Sequence, residues 1–384
     1  MRITMSANAT RPVNETIPGR LRPFEGEGQE SGKMPRAVLS FVVVSYNSRG
    51  SIEACLKSIT SQEAHPHEVI VVDNASSDGS ADLVEAIFPE ICVLRTGRNL
   101  GFAAAANLGI EKSSCEFIAL INPDARIEPT WSTEMLRVIT LHPRAGAVES
   151  KILVEGQPGL VNSRGSYVNL LGFGCASGQG RLDIEEDQTK RTHYPSGAAC
   201  VLRRQAFLEV GGFDEGYFLY HEDVDLGLRM RIADWFILFV PQAKAHHRWK
   251  AYLHGEKLYY LERNRWTTLL KDLPRGYLMR IAPLLLIAEM GLVAYFGSKG
   301  LLRAKMRAAL DFASSIPTID SVRHNSRVPQ SRLVEISNSL TAQVPDLIRT
   351  ESRILKWAEL LLKHYKLAFF CKPPSGSGKS VEET

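Results

Sequence analysis

Short apolar runs alternate with stretches of helical spacing over residues 39–121 of the sequence. The runs predict β-strands because they are rich in β-branched residues and end in polar clusters. The predicted strands are Leu39–Ser45, Val69–Val72, Ile91–Leu94 and Phe117–Ile121. A helix is predicted between each strand and the next; in the first helix, apolar residues recur at i, i+3, i+4 and i+7, namely Ile52, Cys55, Leu56 and Ile59. This alternation predicts an α/β fold with a mostly parallel central sheet.

The strand Phe117–Ile121 has five apolar residues without a polar interruption, which is typical of a strand buried on both faces of a parallel sheet. Pro123 ends it, because proline cannot donate a ladder hydrogen bond. Asp124 is therefore expected just beyond the carboxyl end of the strand, at the edge where open α/β sheets bind ligands. A carboxylate there suits a hard cation bound to a diphosphate, or it caps the following helix.

Polar residues follow all four predicted strands. They are Tyr46 and Asn47, Asp73 and Asn74, Arg98 and Asn99, and Asp124. Four polar strand ends at one edge indicate a nucleotide site more strongly than any one residue does. Asp73 is suited to accept hydrogen bonds from a base or ribose, or it caps a turn through Asn74 and Ser76. No Gly-x-Gly-x-x-Gly follows the first strand, which argues against a dinucleotide oxidoreductase.

The second half of the chain adds an acidic cluster and a histidine pair. A strand is predicted over residues 147–154, irregular loops with weak hairpins over 155–192, and a further strand over 236–240. Glu222 and Asp223 lie at the start of a predicted helix. They either cap that helix or provide a general base. Asp225 lies four residues before Arg229, which predicts an ion pair on the helix surface. Of the adjacent His246 and His247, at most one is expected to reach a site.

Composition is ordinary for a globular protein, with 44% hydrophobic and 23% charged residues and a net charge of +4. The six cysteines form no Cys-x-x-Cys pair, so we expect reduced core residues in a cytosolic setting. Residues 1–36 contain no apolar block, which predicts a disordered segment without a signal peptide; residues 372–384 are also expected to be disordered.

The last third of the chain is basic, with 22 Lys or Arg against 12 Asp or Glu from Arg248 onwards. The apolar run Ile281–Phe296 contains Glu289 and is shorter than the about 20 residues needed to span a bilayer. A helix lying at the membrane surface is therefore expected, with packing on the protein core or a dimer interface as the alternatives. The flanking cations suited to anionic lipid are Arg275, Arg280, Lys299, Arg303, Lys305 and Arg307. Residues 353–370 predict a second amphipathic helix, and the dispersed charges argue against nucleic acid.

Six motifs, in order, resemble those of inverting family-2 glycosyltransferases with the GT-A fold, of the rhamnosyltransferase-like branch. The resemblance covers residues 39–310. The motifs are Val-Val-Val-Ser-Tyr-Asn (42–47), Val-Ile-Val-Val-Asp-Asn-Ala-Ser-Ser-Asp-Gly-Ser (69–80), Arg-Asn-Leu-Gly-Phe-Ala-Ala-Ala-Ala-Asn (98–107), Asn-Pro-Asp (122–124), Gly-Gly-Phe-Asp-Glu (211–215) and His-Glu-Asp-Val-Asp-Leu (221–226).

The resemblance implies a role for each motif. Asp73 contacts the nucleotide base, and Asp124 is the metal-binding end of an Asp-x-Asp-type motif in which Asn122 replaces the first acid. His247, which fits the spacing better than His246, is the second ligand of Mg²⁺ or Mn²⁺. Asp223, paired with Glu222, is the catalytic base. The remaining donor-site residues are Ser45, Tyr46, Asn47, Arg98, Asn99 and Asn122.

We therefore expect a metal-dependent inverting glycosyltransferase of envelope polysaccharide synthesis. The donor is a nucleotide-diphosphate sugar, and a deoxyhexose such as rhamnose is ranked first. The acceptor is a glycan or a lipid-linked molecule. The expected location is the cytoplasmic face of the membrane, and an oligomer is possible. The alternatives are a non-catalytic nucleotide- or lipid-binding protein and, less favoured, a nucleotidyltransferase. The expected organisation is a GT-A domain over 37–250, a helical membrane-surface region over 251–320 and amphipathic helices over 321–371.

Overall fold

The computed structural model describes residues 38–63, 67–183, 188–248, 253–321, 335–336, 339–342 and 362–366. The predicted disordered segments 1–36 and 372–384 lie outside the described residues, as does most of 321–371. The boundaries of the regions 37–250 and 251–320 stay predictions. The α/β fold is confirmed, with strands and helices alternating along the first part of the chain.

The described residues form twelve strands and nine α-helices. In the first half they are β1 (Leu39–Ser45), α1 (Ile52–Thr60), β2 (His67–Asp73), α2 (Ser80–Ile87), β3 (Cys92–Arg95), α3 (Phe102–Lys112), β4 (Phe117–Ile121), β5 (Ala125–Ile127), α4 (Trp131–Leu141) and β6 (Ala145–Val154). The second half contains β7 (Val161–Ser163), β8 (Ser166–Val168), β9 (Gly174–Ala176), β10 (Lys190–Thr192), β11 (Ala199–Arg203), α5 (Arg204–Glu209), a 3-10 turn (Glu215–Tyr217), α6 (Glu222–Ile232), β12 (Phe236–His247), α7 (Gly255–Asp272), α8 (Arg275–Ser298) and α9 (Leu302–Ser321).

The main sheet has the strand order β10-β12-β6-β11-β4-β1-β2-β3. β1 pairs in parallel with β2 and β4, and β2 pairs in parallel with β3. β11 lies antiparallel between β4 and β6, and β12 runs parallel to β6. Consequently β1–β4, β6 and β12 all point in one direction, and their carboxyl ends lie at the same edge of the sheet.

The β-branched residues of β1 face opposite sides of the sheet, because side chains alternate along a strand. Phe41 and Val43 belong to one buried cluster, and Val42 and Val44 belong to another. On the second side, α3 packs closely enough that a Cβ on Gly109 would lie 2.4 Å from Cγ1 of Val42. The small residues of this Ala-rich helix therefore allow it to lie against the sheet.

A third buried cluster joins α7 and α8 to the rest of the protein. It includes Val224 and Leu228 of α6, Leu258 of α7 and Phe296 of α8, together with residues of the loop 168–175. The C-terminal helices therefore pack on the helix that begins with Glu222. The buried face of α8 therefore packs on the protein core, which is one of the alternatives considered for the apolar segment.

Three expectations about helices in the second half of the chain were wrong. The apolar helix begins at Arg275 and has 24 residues, because the apolar run continues a helix that starts before it. By length and composition, α8 alone among the described residues meets the requirements for crossing a membrane. Lys305 does not face lipid: it is buried and forms ion pairs with Glu262 and Glu289. The Asp225–Arg229 pair is also buried instead of lying on the helix surface.

The charge that interrupts the apolar run has buried partners. Glu289 lies 2.5 Å from Nη2 of Arg265 and 2.5 Å from Nζ of Lys305. Arg265 also bonds to Glu262 on its own helix. This network of two acids and two bases joins α7, α8 and α9, and each charge is compensated where water is excluded.

We predict that Lys305→Met lowers the free energy of unfolding by about 3 kcal/mol, because it removes one of two cations from a buried network. Arg303→Met is the matched control, since Arg303 is exposed on the same helix; its effect is expected to stay within about 0.5 kcal/mol. Urea unfolding followed by circular dichroism measures both. Equal small effects would show that the network does not stabilise the fold.

Candidate active site

The loops after β1 and β2 are tied together at the carboxyl edge of the sheet. Ser45 and Asp73 are neighbours in the β1–β2 register. The Asn47 amide donates to Oγ of Ser76 at 2.9 Å, and Oδ1 of Asn47 accepts from the amide of Ser77 at 2.8 Å. Tyr46 is 52% exposed beside them. These loops therefore form a fixed wall with an exposed aromatic ring.

Asp73 fits both roles considered from the sequence. Its side chain is 3% exposed, and Oδ2 accepts from the amide of Ser76 at 3.3 Å, which is the turn-capping contact. Oδ1 is buried and has no hydrogen-bond partner among the described residues. Because a buried acceptor without a partner costs free energy, this oxygen is suited to receive a donor from a ligand.

The loop after β3 is held by an amide pair. Asn74 donates to Oδ1 of Asn99 at 3.0 Å, and Oδ1 of Asn74 accepts from the amide of Leu100 at 2.8 Å. Oδ1 of Asn99 also accepts from the amide of Gly101. Asn99 therefore shapes the loop, whereas Arg98 lies exposed beside it.

Asp124 and His247 come together from different parts of the chain. Nε2 of His247 lies 3.2 Å from Oδ1 of Asp124. His246 points elsewhere and lies 3.2 Å from Oε1 of Glu128, because successive side chains of β12 alternate between faces. Of the two histidines considered from the sequence, His247 is the one beside Asp124. Between them and the sheet lies Asn122, whose backbone oxygen accepts from Ala125 and from Cys55.

The Asp124–His247 pair fits a divalent cation by its chemistry and spacing. Carboxylate and imidazole are both ligands of Mn²⁺-type ions. Two adjacent ligands at the 2.0–2.1 Å typical of an octahedral Mg²⁺ site lie about 3.0 Å apart, close to the 3.2 Å observed. No cluster of three or more such ligands occurs in the part of the chain that the structure describes. A cation held by this pair would leave its remaining positions to substrate phosphate and water, as in Mg²⁺ sites with one or two protein carboxylates.

Arg248 adds positive charge at the same place. Burial would raise the pKa of Asp124, but the hydrogen bond and charge of His247, and then the charge of Arg248, lower it below its usual range. The Arg248 amide donates to the Asp124 carbonyl at 3.2 Å, and Nη1 lies 3.3 Å from the Gly50 carbonyl oxygen. Asp124 is therefore ionised, beside a cation that sequence reasoning missed. The signal for it was its position directly after the histidine pair.

Glu222 and Asp223 begin α6, as the sequence predicts, and both lie in surroundings that disfavour charge. Oδ1 of Asp223 accepts from the amide of Val224 at 2.8 Å. Burial raises the pKa of Asp223 and raises that of Glu222 further, because the charge of Asp223 adds to the effect. Oε2 of Glu222 has no hydrogen-bond partner among the described residues. Glu222 therefore keeps its proton more readily, and Asp223 is the better candidate for a base near neutral pH.

The third acid of this helix behaves differently. Asp225 is fully buried and bonds to Arg229 at 2.9 Å from Nε, and it also pairs with Lys271 of α7. Burial opposes its charge, but the two cations hold the pKa of Asp225 well below its usual range. Asp225 therefore joins α6 to α7 and is unavailable to a substrate.

Tyr220 links the two groups of acids. Burial raises its pKa first, and the charges of Glu222, Glu256 and Asp124 raise it further. The Asp223 carboxylate accepts a backbone hydrogen bond from Gly197, and the next residue, Ala198, accepts from the Asn122 amide at 3.0 Å. The start of α6 therefore lies at the edge of the sheet that carries Asp124. A cavity of about 210 Å³ adjoins this point, lined in part by Tyr194, Tyr220, Glu222 and Asp223. The two acidic sites belong to one region of the molecule.

Sequence reasoning also missed Glu149, a fully buried acid in β6. It accepts from the amide and hydroxyl of Ser166 at 2.8 and 2.6 Å, and burial raises its pKa to about 7. Its charge and that of Asp223 both act on Tyr194. The signal was a glutamate inside a predicted strand whose ends are apolar.

Comparisons with known proteins bear on the family and the fold of the chain. The family model "Glycosyl transferase family 2" matches residues 40–211. An N-acetylglucosaminyl-diphospho-decaprenol L-rhamnosyltransferase of Mycobacterium tuberculosis is 32% identical, over 55% of this chain and 76% of the relative.

Two solved structures share the fold. GalNAc-T7 with UDP, GalNAc and Mn²⁺ superposes with a TM-score of 0.53 at 13% identity, over 90% of this chain and 60% of that one. S. aureus TarS 1-349 in complex with UDP-GlcNAc gives a TM-score of 0.50 at 19% identity, over 86% of this chain and 89% of that one. The GT-A fold expected from the motifs is confirmed.

We predict that His247→Ala weakens Mn²⁺ binding at least about tenfold, because it removes one of two protein ligands. His246→Ala is the matched control and is expected to leave binding unchanged, since His246 faces Glu128. Titration of Mn²⁺ followed by electron paramagnetic resonance measures free metal for both variants. Weaker binding in His246→Ala alone would reverse the assignment.

Proposed function

The chain belongs to glycosyl transferase family 2 and is a glycosyltransferase; we propose that it transfers a sugar, with inversion, from a nucleotide-diphosphate donor in a reaction that depends on Mg²⁺ or Mn²⁺. One observation carries the proposal. The carboxyl edge of the sheet collects a buried acceptor on Asp73 that has no partner among the described residues, the Asp124–His247 pair, and, through its hydrogen bond from Gly197, the raised-pKa carboxylate Asp223.

The donor lies along the loops after β1, β2 and β3 in this proposal. Asp73 accepts a hydrogen bond from the base, and Ser45, Tyr46, Asn47, Arg98, Asn99 and Asn122 form the surrounding wall. Asp124 and His247 hold the cation, which when bound supplies positive charge to the leaving diphosphate. Arg248 adds its own charge beside Asp124.

The transfer step needs one base. Asp223 takes the proton of the acceptor hydroxyl as that oxygen forms a bond to the anomeric carbon. The bond from that carbon to the diphosphate oxygen breaks at the same time, and the nucleoside diphosphate leaves with its electron pair. Attack from the face opposite the leaving group inverts the configuration. Glu222, with its higher pKa, keeps a proton and does not serve as the base.

We predict that Asp223→Asn lowers turnover by about two decades or more, because an amide cannot accept the proton. Binding of the donor nucleotide is expected to remain, since the base does not contact the nucleotide. Glu256→Gln is the matched control: Glu256 is exposed and acts on Tyr220, and turnover should stay within about twofold of wild type.

The pH profile gives a second measurement of the same prediction. Asp223 must be ionised to act, so activity is lost as the pH falls through its pKa. Because burial raises this pKa, the loss should occur above the pH of about 4 at which an ordinary aspartate titrates. A profile that stays flat to that pH, or wild-type turnover in Asp223→Asn, would rule out Asp223 as the base.

We further propose that the donor is a deoxyhexose linked to TDP, with TDP-rhamnose ranked first, and that the acceptor is lipid-linked. The mycobacterial relative is named as a rhamnosyltransferase acting on a diphospho-decaprenol acceptor, which supports both choices. The solved structures of the same fold contain UDP or UDP-GlcNAc, so the identity of the base is the point to test.

We predict that TDP raises the melting temperature more than UDP or GDP in the presence of Mn²⁺, because the preferred ligand stabilises the folded state most at equal concentration. Asp73→Ala should abolish the difference. Asp82→Ala is the control, since Asp82 is exposed on α2. Equal shifts with all three nucleotides in the wild type would mean that Asp73 only caps its turn.

We propose that α8 and α9 hold the enzyme at the cytoplasmic surface of the membrane. Both helices present exposed apolar side chains: Met279, Leu286, Ile287, Met290 and Val293 on α8, and Leu302, Met306 and Leu310 on α9. The exposed cations beside them are Arg275, Arg280, Lys299, Arg303 and Arg307. Apolar side chains bordered by cations are typical of a surface that binds anionic lipid.

We predict that Arg303→Glu with Arg307→Glu weakens binding to phosphatidylglycerol vesicles and reduces its salt dependence, because ionic attraction is screened by salt. Ile287→Asn with Met290→Asn should remove the part that persists at high salt. Lys57→Glu with Lys112→Glu, on α1 and α3, is the control of equal charge. If neither helix variant changes vesicle binding and the protein sediments as a salt-insensitive dimer, these faces are an interface between copies.

A further inference from the structure

The segment Tyr217–His221, which leads into α6, has an unusual backbone. The φ angles of Phe218, Tyr220 and His221 are 61°, 64° and 72°. None of these residues is glycine, so the Cβ of each is crowded by its own backbone. Such conformations persist only where the surrounding structure holds them. Glu222 and Asp223 follow directly, so the direction of the proposed base depends on what holds this segment.

Asn264 of α7 makes the largest set of contacts with the segment. Its Nδ2 donates to the carbonyl oxygens of Tyr217 at 2.9 Å, Leu219 at 2.9 Å and Tyr220 at 2.7 Å. The side chain is 1% exposed. Since an amide nitrogen has two protons, one of them is shared between carbonyls. A single buried side chain therefore fixes three peptide groups among the left-handed residues.

The orientation of this amide is set by its neighbour. Oδ1 of Asn264 accepts from Nε of Arg263 at 2.8 Å, so the oxygen faces a donor and the nitrogen faces three acceptors. The reverse orientation would place the nitrogen against the guanidinium and the oxygen against carbonyls. Arg263 also donates to the carbonyls of Gly216 and Tyr217 at 2.8 and 3.0 Å, and it reinforces the same contact.

The other side of the segment rests against the end of the loop after β3, which lies beside the donor in the proposed function. The Phe102 amide donates to the Phe218 carbonyl at 2.6 Å. A Cβ on Gly101 would lie 2.4 Å from the same oxygen, so only glycine permits this approach. The segment is therefore held between the start of α3 and Asn264.

We propose that Asn264 is a positioning residue for glycosyl transfer, which holds the left-handed segment and thereby fixes Asp223 relative to the acceptor hydroxyl. This rests on the proposed role of Asp223 as the base. Asn264 touches no reacting atom in this proposal and acts through the backbone of Tyr217–His221.

The test is Asn264→Asp, which keeps the size of the side chain but places oxygens against three carbonyl oxygens. We expect kcat to fall about 10- to 100-fold, because small displacements of a catalytic group have effects of that order. The KM for the donor should stay within about twofold, since the contacts of Asp73, Asp124 and His247 are unchanged. Because a loss of folded protein would also lower the apparent kcat at unchanged KM, kcat is calculated per amount of folded enzyme, measured by circular dichroism.

Asn107→Asp is the matched control. Asn107 donates to the Phe213 carbonyl at 2.9 Å and accepts from the Phe213 amide at 3.0 Å. It thus ties the chain just before the segment, beside glycines that tolerate left-handed backbone. Compared at equal amounts of folded protein, this variant should keep kcat within about threefold of wild type. Equal falls of kcat in the two variants would overturn the proposal.

Hydrogen exchange separates this proposal from the proposed function. Amides of residues 217–226 should exchange faster in Asn264→Asp and not in Asn107→Asp, whether or not transfer is measured. Unchanged exchange in Asn264→Asp would overturn the positioning role, whereas absence of transfer by the wild type would count only against the proposed function. If Asn264→Asp does not fold, Arg263→Lys provides the test, because lysine keeps the charge but lacks the Nε–H that donates to Asn264. Faster exchange of residues 217–226 together with a lower kcat would support the positioning role of Asn264. No change in either measurement would overturn it.

Discussion

The site depends on the shared direction of six strands. Because β1–β4, β6 and β12 are all parallel, every residue that follows one of them lies at the same edge of the sheet. Asp73, Asp124 and His247 come from positions more than 170 residues apart at the extremes, and this direction brings them to one edge. β12 is also long, with 12 residues, and it passes an irregularity at Val240 and Lys244 before His247 reaches Asp124. A shorter strand would end before it reached Asp124.

In the first turn of α6, carboxyl groups of similar chemistry have pKa values shifted in opposite directions by their surroundings. Three carboxylates occupy four positions, yet two have raised pKa values and one has a lowered pKa. Asp225 faces Arg229 and Lys271, so its charge is compensated where water is excluded. Asp223 and Glu222 face a cavity with aromatic walls and accept few hydrogen bonds, so burial dominates. The same helix therefore carries Asp225, which forms the ion pair with α7, and Asp223, the candidate base. The two side chains differ in role because they point in different directions around the helix.

Sequence reasoning reached the features that depend on local order. The runs around Val42 and Phe117 predicted buried strands, and the polar residues after them marked the edge at which Asp73 and Asp124 lie. It could not place β11 antiparallel between β4 and β6, because strand pairing is set by contacts distant in sequence. For the same reason Asp225 and Arg229 looked like a surface pair: their spacing is local, but the helix α7 that covers them is not. Arg248 and Glu149 were missed because their importance comes from their neighbours in space.

The basic character of the C-terminal region also changes once the fold is considered. Arg265, Lys271 and Lys305 are buried and compensated by acids, so they contribute little to an external field. Five exposed cations remain on α8 and α9, each worth about 1 kcal/mol at most near an anionic surface. The exposed side chain of Ile287 lies nine residues before Phe296 and therefore on the opposite side of α8. Phe296 lines the cavity beside Asp223. A single helix thus has one face exposed to solvent and another that borders the cavity at the start of α6. A membrane bound to the exposed face of α8, as proposed above, would therefore lie about one helix width, roughly 10 Å, from that cavity.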